Sequence, residues 1–145
     1  MKNSSSPEYS ISFPLKGRDF LEGGKASSEI KSRLKKLGLP SKIVRRIAII
    51  AYEAEMNVII HADYGTIKAE IDVEKVVIEV SDSGPGIEDV EKAMQKGYTT
   101  VTPEILEMGF GAGMGLPNIE YYSDEIDIDT EVGVGTRLRA VVYFS

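Results

Sequence analysis

The sequence predicts an α+β fold: a two-layer α/β sandwich in which helices cover one face of a mostly antiparallel, mixed sheet. The chain has 145 residues, 42% of them hydrophobic, so it can bury one core but is too short for two ordinary domains. Several segments alternate apolar and polar residues with the period of a half-exposed strand. Other segments carry apolar stripes at helical spacing. We expect these segments to form helices that cover the apolar face of the sheet.

The chain begins with a tail and a strand. Residues 1 to 7 lack a hydrophobic pattern and are expected to form a frayed tail. Tyr9, Ile11 and Phe13 then alternate with serines, as in a half-buried strand. Pro14 cannot donate a hydrogen bond to a neighbouring strand, which predicts that this strand lies at the edge of the sheet.

Two helices are predicted next. The first follows the helix-weakening pair Gly23-Gly24 and ends at Gly38, which is followed by Pro40. The second runs from about Ser41 to Ala62. Its apolar stripe is formed by Ile43, Ile47, Ile50, Ala51, Ala54 and Val58. This stripe predicts that the second helix lies in the core.

The remaining strands are predicted as two hairpins. Glu74-Lys75 is expected to connect the first hairpin and Gly133 to Gly135 the second. The inward residues are Ile67, Ala69, Ile71 and Val73 with Val76, Ile78 and Val80, and Ile126 and Ile128 with Leu138, Ala140, Val142 and Phe144. Between the hairpins we expect a short helix at about Glu88 to Gln95, a glycine-rich stretch and a helix beginning near Leu116.

Composition restricts the function. The 17 Lys and Arg residues against 23 Asp and Glu give a net charge of -6, which provides no basic field for nucleic acid or an anionic membrane. The absence of cysteine excludes disulfides, thiolate metal sites and Cys nucleophiles. The longest apolar run, Ile47 to Tyr52, is far shorter than the ~20 residues that span a bilayer. We therefore expect a cytoplasmic protein with no nucleic-acid or membrane partner.

Polar residues interrupt the apolar pattern at strand ends and on the second helix. The inward phase of the strand around Ile78 extends to Asp82, and that of the last strand extends back to Thr136. Glu53 and Asn57 lie one helical turn apart on the margin of the apolar stripe. Each also fits a structural role: an Asx turn, a strand start, or a helix-surface pair. A buried carboxylate, however, requires a partner.

Glycines concentrate in one stretch. Seven of the 14 glycines lie between Gly84 and Gly115, and the last four belong to the run GFGAGMG, followed by a helix start. Residues without side chains let backbone N–H groups converge, and a helix N-terminus behind them adds a positive dipole end, so together they can bind phosphate oxygens. The spacing matches neither the dinucleotide-binding nor the P-loop pattern. A flexible surface loop is the structural alternative.

The order of these motifs resembles the GHKL ATPase superfamily, whose members carry a histidine-kinase-like ATPase domain. Within it, the sequence is most similar to the small bacterial anti-sigma-factor and switch-type serine/threonine kinases. Glu53-x-x-x-Asn57 resembles the N box, Asp82-x-Gly84-x-Gly86 the first glycine box, Gly109 through Gly115 the second, and Thr136 the late threonine of the family. The likeness covers nearly the whole chain after the tail, so residues 8 to 145 are predicted to form one such domain.

The resemblance implies a site for ATP and Mg²⁺. In it Glu53 would act as general base, Asn57 would ligate Mg²⁺, and Asp82 would accept a hydrogen bond from the adenine amino group with Thr136 beside it. The remaining nucleotide-binding residues would be Gly84, Gly86, Gly109, Gly111, Ala112, Gly113, Met114, Gly115 and Leu116. The segment from about Lys96 to Gly115 would form a Gly-rich ATP lid, in which Thr102-Pro103 predicts a helix start.

The activity that the resemblance implies is a regulatory kinase that phosphorylates Ser or Thr of a small partner protein, such as an antagonist, a sigma factor or a similar regulator. One departure favours an alternative: the chain has no Lys or Arg between Lys96 and Arg137, where related kinases often carry a basic residue near the γ-phosphate. The alternative is a nucleotide-gated binding module that sequesters a regulator with little or no phosphotransfer. In the family homodimers form through the sheet edge, for which Tyr9 to Phe13 is the candidate segment.

Overall fold

The computed structural model describes residues 8–96, 103 and 115–145. The elements within these ranges are β1 (Tyr9–Lys16), α1 (Lys25–Lys36), α2 (Ser41–His61), β2 (Tyr64–Ile71), β3 (Lys75–Ser83), α3 (Val90–Ala93), α4 (Gly115–Tyr122), β4 (Glu125–Glu131) and β5 (Gly135–Tyr143). The predicted tail and most of the predicted lid lie outside the described residues.

The five strands form one sheet in the order β1-β2-β3-β5-β4. Each of the four pairings is antiparallel, so the sheet is antiparallel throughout the described strands rather than mixed. The two predicted hairpins, β2-β3 and β4-β5, are both present, and β5 returns beside β3 in the opposite direction. The predicted α+β sandwich is therefore confirmed, and β1, the strand with Pro14, is an edge strand as expected.

The strand register places the inward residues in rows across the sheet. One row, entirely apolar, consists of Phe13, Ile67, Val80, Leu138 and Ile128. The row two residues further along the strands consists of Leu15, Gly65, Asp82, Thr136 and Thr130. The inward face therefore changes from apolar to polar at one end of the sheet.

The core lies between this inward face and helices α1, α2 and α4. The apolar helical residues that are at most 1% exposed are Ile30, Leu34, Ile47, Ile50, Ala51, Val58 and Ile119. The apolar stripe predicted for α2 is confirmed, because all six of its residues are buried. Since helices cover only one face, the outer face carries cross-strand charge pairs such as Arg137 with Glu79 at 3.0 Å.

The structure corrects three local predictions. Val73 was expected to face inward but is 77% exposed, because β2 ends at Ile71. Asp72 forms an Asx turn there: its Oδ1 accepts hydrogen bonds from the N–H groups of Glu74 at 2.7 Å and of Lys75 at 3.0 Å. The connection is therefore residues 72 to 74, and Lys75 already belongs to β3. The helix expected at about Glu88 to Gln95 is only the single turn α3.

Helix α1 takes its N-terminal cap from another helix. Gly24, its N-cap residue, has no side chain to offer. Glu55 of α2, which is 1% exposed, accepts hydrogen bonds from the N–H groups of Gly24 at 3.0 Å, Ala26 at 3.2 Å and Ser27 at 2.9 Å. The free N–H groups and positive dipole end of a helix N-terminus compensate the burial of this carboxylate. Glu55 thereby fixes α1 against α2.

Replacement of Glu55 by Gln is expected to reduce the free energy of unfolding by about 2 kcal/mol. The side-chain amide places its own N–H donors against backbone N–H groups at the start of α1, and the negative charge beside the helix N-terminus is lost. Urea unfolding at neutral pH measures the change. Glu29→Gln, at an exposed position on α1, is the matched control and should change stability by less than about 0.5 kcal/mol. Equal stability of the two variants would show that the buried cap contributes nothing.

Candidate functional site

A cleft opens at the polar end of the inward sheet face, between the sheet, α2 and the start of α4. It is lined by Ala54, Asn57, Val58, Val80, Asp82, Ile87, Leu116, Thr136 and Leu138. Four residues that the sequence singled out, Asn57, Asp82, Leu116 and Thr136, thus meet from four different elements. Apolar walls with a few convergent polar groups are typical of a site for a small molecule.

Hydrogen bonds fix the floor of the cleft. The N–H of Thr136 donates to Oδ1 of Asp82 at 3.2 Å, across the β3-β5 pairing. The hydroxyls of Thr136 and Thr130 lie 2.9 Å apart, and the Thr130 hydroxyl also accepts the N–H of Ile87 at 2.9 Å. Because these bonds link β3, β5, β4 and the segment after β3, the polar groups of the floor have defined positions before any ligand binds.

The carboxyl group of Asp82 is only partly satisfied within the protein. Burial raises the pKa of Asp82 above 3.8, and the Thr136 N–H counteracts this only in part. No other hydrogen bond to this carboxylate occurs among residues 8–96, 103 and 115–145. A ligand with N–H donors, such as the amino edge of a purine, would give this partly exposed carboxylate a second hydrogen-bond partner.

The two glycines after Asp82 allow the chain to pass close to its neighbours. A Cβ on Gly84 would lie 3.0 Å from both Cα and Cβ of Ala62 and 3.1 Å from Oδ1 of Asp82. Gly86 has a φ of +77°, and a Cβ there would lie 2.5 Å from the carbonyl oxygen of Glu131. Gly86 therefore requires glycine, because of its positive φ and its contact with β4. At Gly84 a side chain fits only if the end of α2 or the Asp82 carboxylate shifts by a few tenths of an ångström.

On the helical side, the start of α4 faces the polar margin of α2. A Cβ on Gly115 would lie 3.8 Å from Oε1 of Glu53 and 3.9 Å from Oδ1 of Asn57. The side-chain amide of Asn118, one turn into α4, donates from Nδ2 to Oε2 of Glu53 at 2.9 Å. The last glycine of the glycine-rich run and the Glu-Asn pair of α2 therefore border the same space.

Sequence reasoning missed Asn118, which borders this region, and also Glu55, whose carboxylate faces the start of α1 rather than the cleft. Nothing in the local pattern distinguishes Asn118 from an ordinary residue of an amphipathic helix. Five predicted nucleotide-binding residues, Gly109, Gly111, Ala112, Gly113 and Met114, lie outside the described residues, as does Thr102. Pro103, the one described residue of the lid interior, is helical and exposed, in line with the helix start predicted there.

The oxygen atoms of the cleft suit Mg²⁺ better than a transition metal. The described part of the chain contains no group of three or more His, Asp or Glu residues that could hold a metal ion by itself. Mg²⁺ usually keeps several waters and binds through substrate phosphates with one or two protein oxygens. Oδ1 of Asn57 would provide one such oxygen, and a magnesium ion there would depend on a phosphate-bearing ligand for most of its coordination.

The fold and the cleft define a class of α+β protein. In this class an antiparallel sheet has helices on one face and a polar cleft at its strand ends, beside the longest described helix. The chain belongs to the histidine kinase-like ATPase domain family, whose model matches residues 24–142. Within the described ranges, no helix combines the length and apolar character needed to cross a membrane.

Individual relatives agree with this family. The chain is 39% identical over 103 residues to an anti-sigma F factor of Thermoanaerobacter sp., which covers 71% of this chain and 64% of that protein. It is 30% identical over 111 residues to the serine/threonine-protein kinase RsbT of Bacillus subtilis, covering 74% and 77% respectively. The chain thus spans 64% of the length of the anti-sigma F factor that it matches.

A solved structure shares the fold. The SiaB-SiaC complex from Pseudomonas aeruginosa contains a chain that superposes with a TM-score of 0.62 over 91% of this chain and 88% of that chain. Because the sequence identity is 14%, this likeness concerns the fold alone.

Proposed function

We propose that this protein is an anti-sigma-factor-like regulatory kinase that binds Mg-ATP and phosphorylates Ser or Thr of a small partner protein. The observation that carries the proposal is that Asn57, Asp82 and Thr136 meet in one cleft, with Gly115 beside it. The family, with relatives named anti-sigma F factor and serine/threonine-protein kinase, supports the same function. The partner would be an antagonist, a sigma factor or a similar regulator.

The purine would occupy the strand-end part of the cleft. Asp82 would accept a hydrogen bond from the adenine amino group, and Thr136 would lie beside it. Val58, Val80 and Leu138 provide apolar walls against which a flat ring can pack. A guanine carries a carbonyl where adenine carries its amino group, so it would place an acceptor against the carboxylate.

The phosphates would lie toward the start of α4. Gly115 and Leu116 begin this helix, whose N-terminal N–H groups and dipole favour negative charge. Asn57 would contribute its amide oxygen to Mg²⁺, which when bound neutralises phosphate charge. Glu53, one helical turn before Asn57, would take the proton of the attacking hydroxyl. Gly84 and Gly86 would keep the first glycine segment close to the nucleotide, and residues 109 to 114 would complete the phosphate contacts as the family likeness implies.

A second function is favoured by one observation: residues 97 to 136 contain no Lys or Arg to stabilise charge on the transferred phosphate. In this alternative the protein is a nucleotide-gated binding module that sequesters its regulator with little or no phosphotransfer. Incubation with ATP labelled at the γ-phosphate distinguishes the two functions. Label that moves to the partner supports the kinase, whereas ATP-dependent capture of an unlabelled partner supports the module. A homodimer through β1 remains a prediction.

Mg-ATP is expected to stabilise the folded chain by about 2.7 kcal/mol at a concentration 100 times its dissociation constant. Differential scanning calorimetry with Mg-ATP, Mg-GTP and ATP plus EDTA measures this effect. A rise in melting temperature should be largest with Mg-ATP, because Asp82 disfavours guanine and Asn57 acts through the metal. An unchanged melting temperature with Mg-ATP would contradict both the kinase and the nucleotide-gated module.

A further inference from the structure

We infer that Asn118 is a positioning residue for Glu53, an inference that rests on the kinase function proposed above. The Nδ2 of Asn118 donates to Oε2 of Glu53 at 2.9 Å, across 65 positions of the chain and between α4 and α2. Both side chains are only partly exposed, so water competes less for this bond than for a surface contact. The bond gives the Glu53 carboxylate a defined orientation.

The contact leaves the two carboxylate oxygens of Glu53 in different surroundings. Oε2 is occupied by the amide of Asn118, whereas Oε1 faces the start of α4, 3.8 Å from where a Cβ of Gly115 would stand. An amide N–H donates but does not accept a proton under these conditions. Oε1 is therefore the oxygen that Asn118 leaves available for the proton, and it borders the same space beside Gly115 as Oδ1 of Asn57.

The proton balance of the transfer step shows what this orientation achieves. The hydroxyl oxygen of the partner bonds to the γ-phosphorus, the bond from that phosphorus to the β,γ-bridging oxygen breaks, and ADP leaves. The hydroxyl proton goes to Oε1 of Glu53, while Asn118 keeps Oε2. A glutamate side chain that is free to rotate would point an oxygen at the hydroxyl for only part of the time, so the fixed orientation raises the rate of the step without adding affinity for ATP.

The first test compares Asn118→Ala with the native chain and with Glu120→Gln, an exposed substitution on the same helix. Turnover of γ-labelled Mg-ATP with water as acceptor gives kcat and KM. Asn118→Ala is expected to lower kcat by roughly tenfold with KM nearly unchanged, and Asn118→Gln, which keeps the amide, should recover part of the rate. An unchanged kcat for Asn118→Ala would overturn the inference, because the bond would then contribute nothing to the step, and an increased kcat would overturn it as well, because the bond would hold Glu53 in an unproductive orientation.

The second test needs no nucleotide. Asn118→Asp places a second carboxylate against Oε2 of Glu53, and two like charges at this distance repel each other. The melting temperature of the ligand-free chain near neutral pH should therefore be lower for Asn118→Asp than for the native chain, and Glu53→Gln should recover stability in the double variant because it removes the repelling charge. If Glu53→Gln changed stability equally in the native and Asn118→Asp backgrounds, the inference would be overturned, because the two side chains would not be in contact. If the native chain transfers no label to a partner, the kinase proposal fails, and this comparison still decides whether Asn118 contacts Glu53.

Discussion

Replacement of Glu53 by Gln is expected to lower phosphate transfer roughly a thousandfold while the affinity for Mg-ATP stays within about threefold of the native value. The amide oxygen of the new Gln can still accept the hydrogen bond of Asn118, so the packing of α4 on α2 is preserved. The amide cannot accept the proton of the attacking hydroxyl. Single-turnover transfer from γ-labelled ATP, paired with calorimetric Mg-ATP binding, measures the two quantities separately.

Glu120→Gln is the matched control, since it removes the same charge from an exposed position on α4. It should transfer phosphate at the native rate. Transfer at a near-native rate by Glu53→Gln would show that another group takes the proton. A parallel loss of transfer and of Mg-ATP affinity would instead make Glu53 a nucleotide-binding residue, and the assignment of Asn118 as its positioning partner would lose its catalytic meaning.

The strand pattern predicted the floor of the cleft well. The alternation of Val76, Ile78 and Val80 is a local property of a pleated strand, so its extension to Asp82 needed no knowledge of the rest of the fold. Extending the same two-residue period from Leu138 toward the start of β5 led to Thr136. The register pairs these two residues across the sheet, as the family resemblance implied and the strand pattern alone did not specify. A polar residue in the inward phase of a strand was thus an accurate guide to the position of the cleft.

Other features depend on contacts that the sequence does not encode locally. Glu53 and Glu55 are two residues apart on α2, and sequence reasoning selected Glu53 alone because of its spacing to Asn57. The role of Glu55 depends on N–H groups of α1 that lie 28 to 31 positions away in the chain. Asn118 was missed for the same reason, since its partner lies 65 positions away. Both contacts arise from helix packing, which a linear pattern does not specify.

Local turn chemistry explains the error at Val73. The alternating pattern continues through this residue, but Asp72 bonds to two following N–H groups and ends the strand. An Asx turn competes directly with strand pairing for the same backbone donors. The hydrophobic pattern therefore gave the strand and its face correctly, and the turn residue determined where the strand ended.

Replacement of Asp82 by Asn is expected to reduce Mg-ATP affinity roughly a hundredfold, which corresponds to about 2.7 kcal/mol. The amide oxygen can still accept the N–H of Thr136, but the amide NH₂ would then face the adenine amino group, donor against donor. Isothermal titration calorimetry with Mg-ATP measures the loss. Binding of magnesium tripolyphosphate, which has no purine, should be the same in both proteins, and a reduced affinity for it would show that Asp82 does not act at the purine end.

The same substitution is expected to make the ligand-free chain more stable, which separates a lost contact from a damaged fold. Because burial raises the pKa of Asp82, folding disfavours its ionised form. The stability that the protonated carboxyl group contributes is fully present below its unfolded pKa and is lost as the pH rises through the folded pKa. At neutral pH the ionised carboxylate therefore lowers the free energy of unfolding. The amide that replaces the carboxyl group carries no charge, and the melting temperature of Asp82→Asn should exceed that of the native chain near pH 7, with the difference vanishing in acid. A variant that loses both stability and ATP affinity would instead indicate that Asp82 supports the fold of the cleft rather than the recognition of adenine.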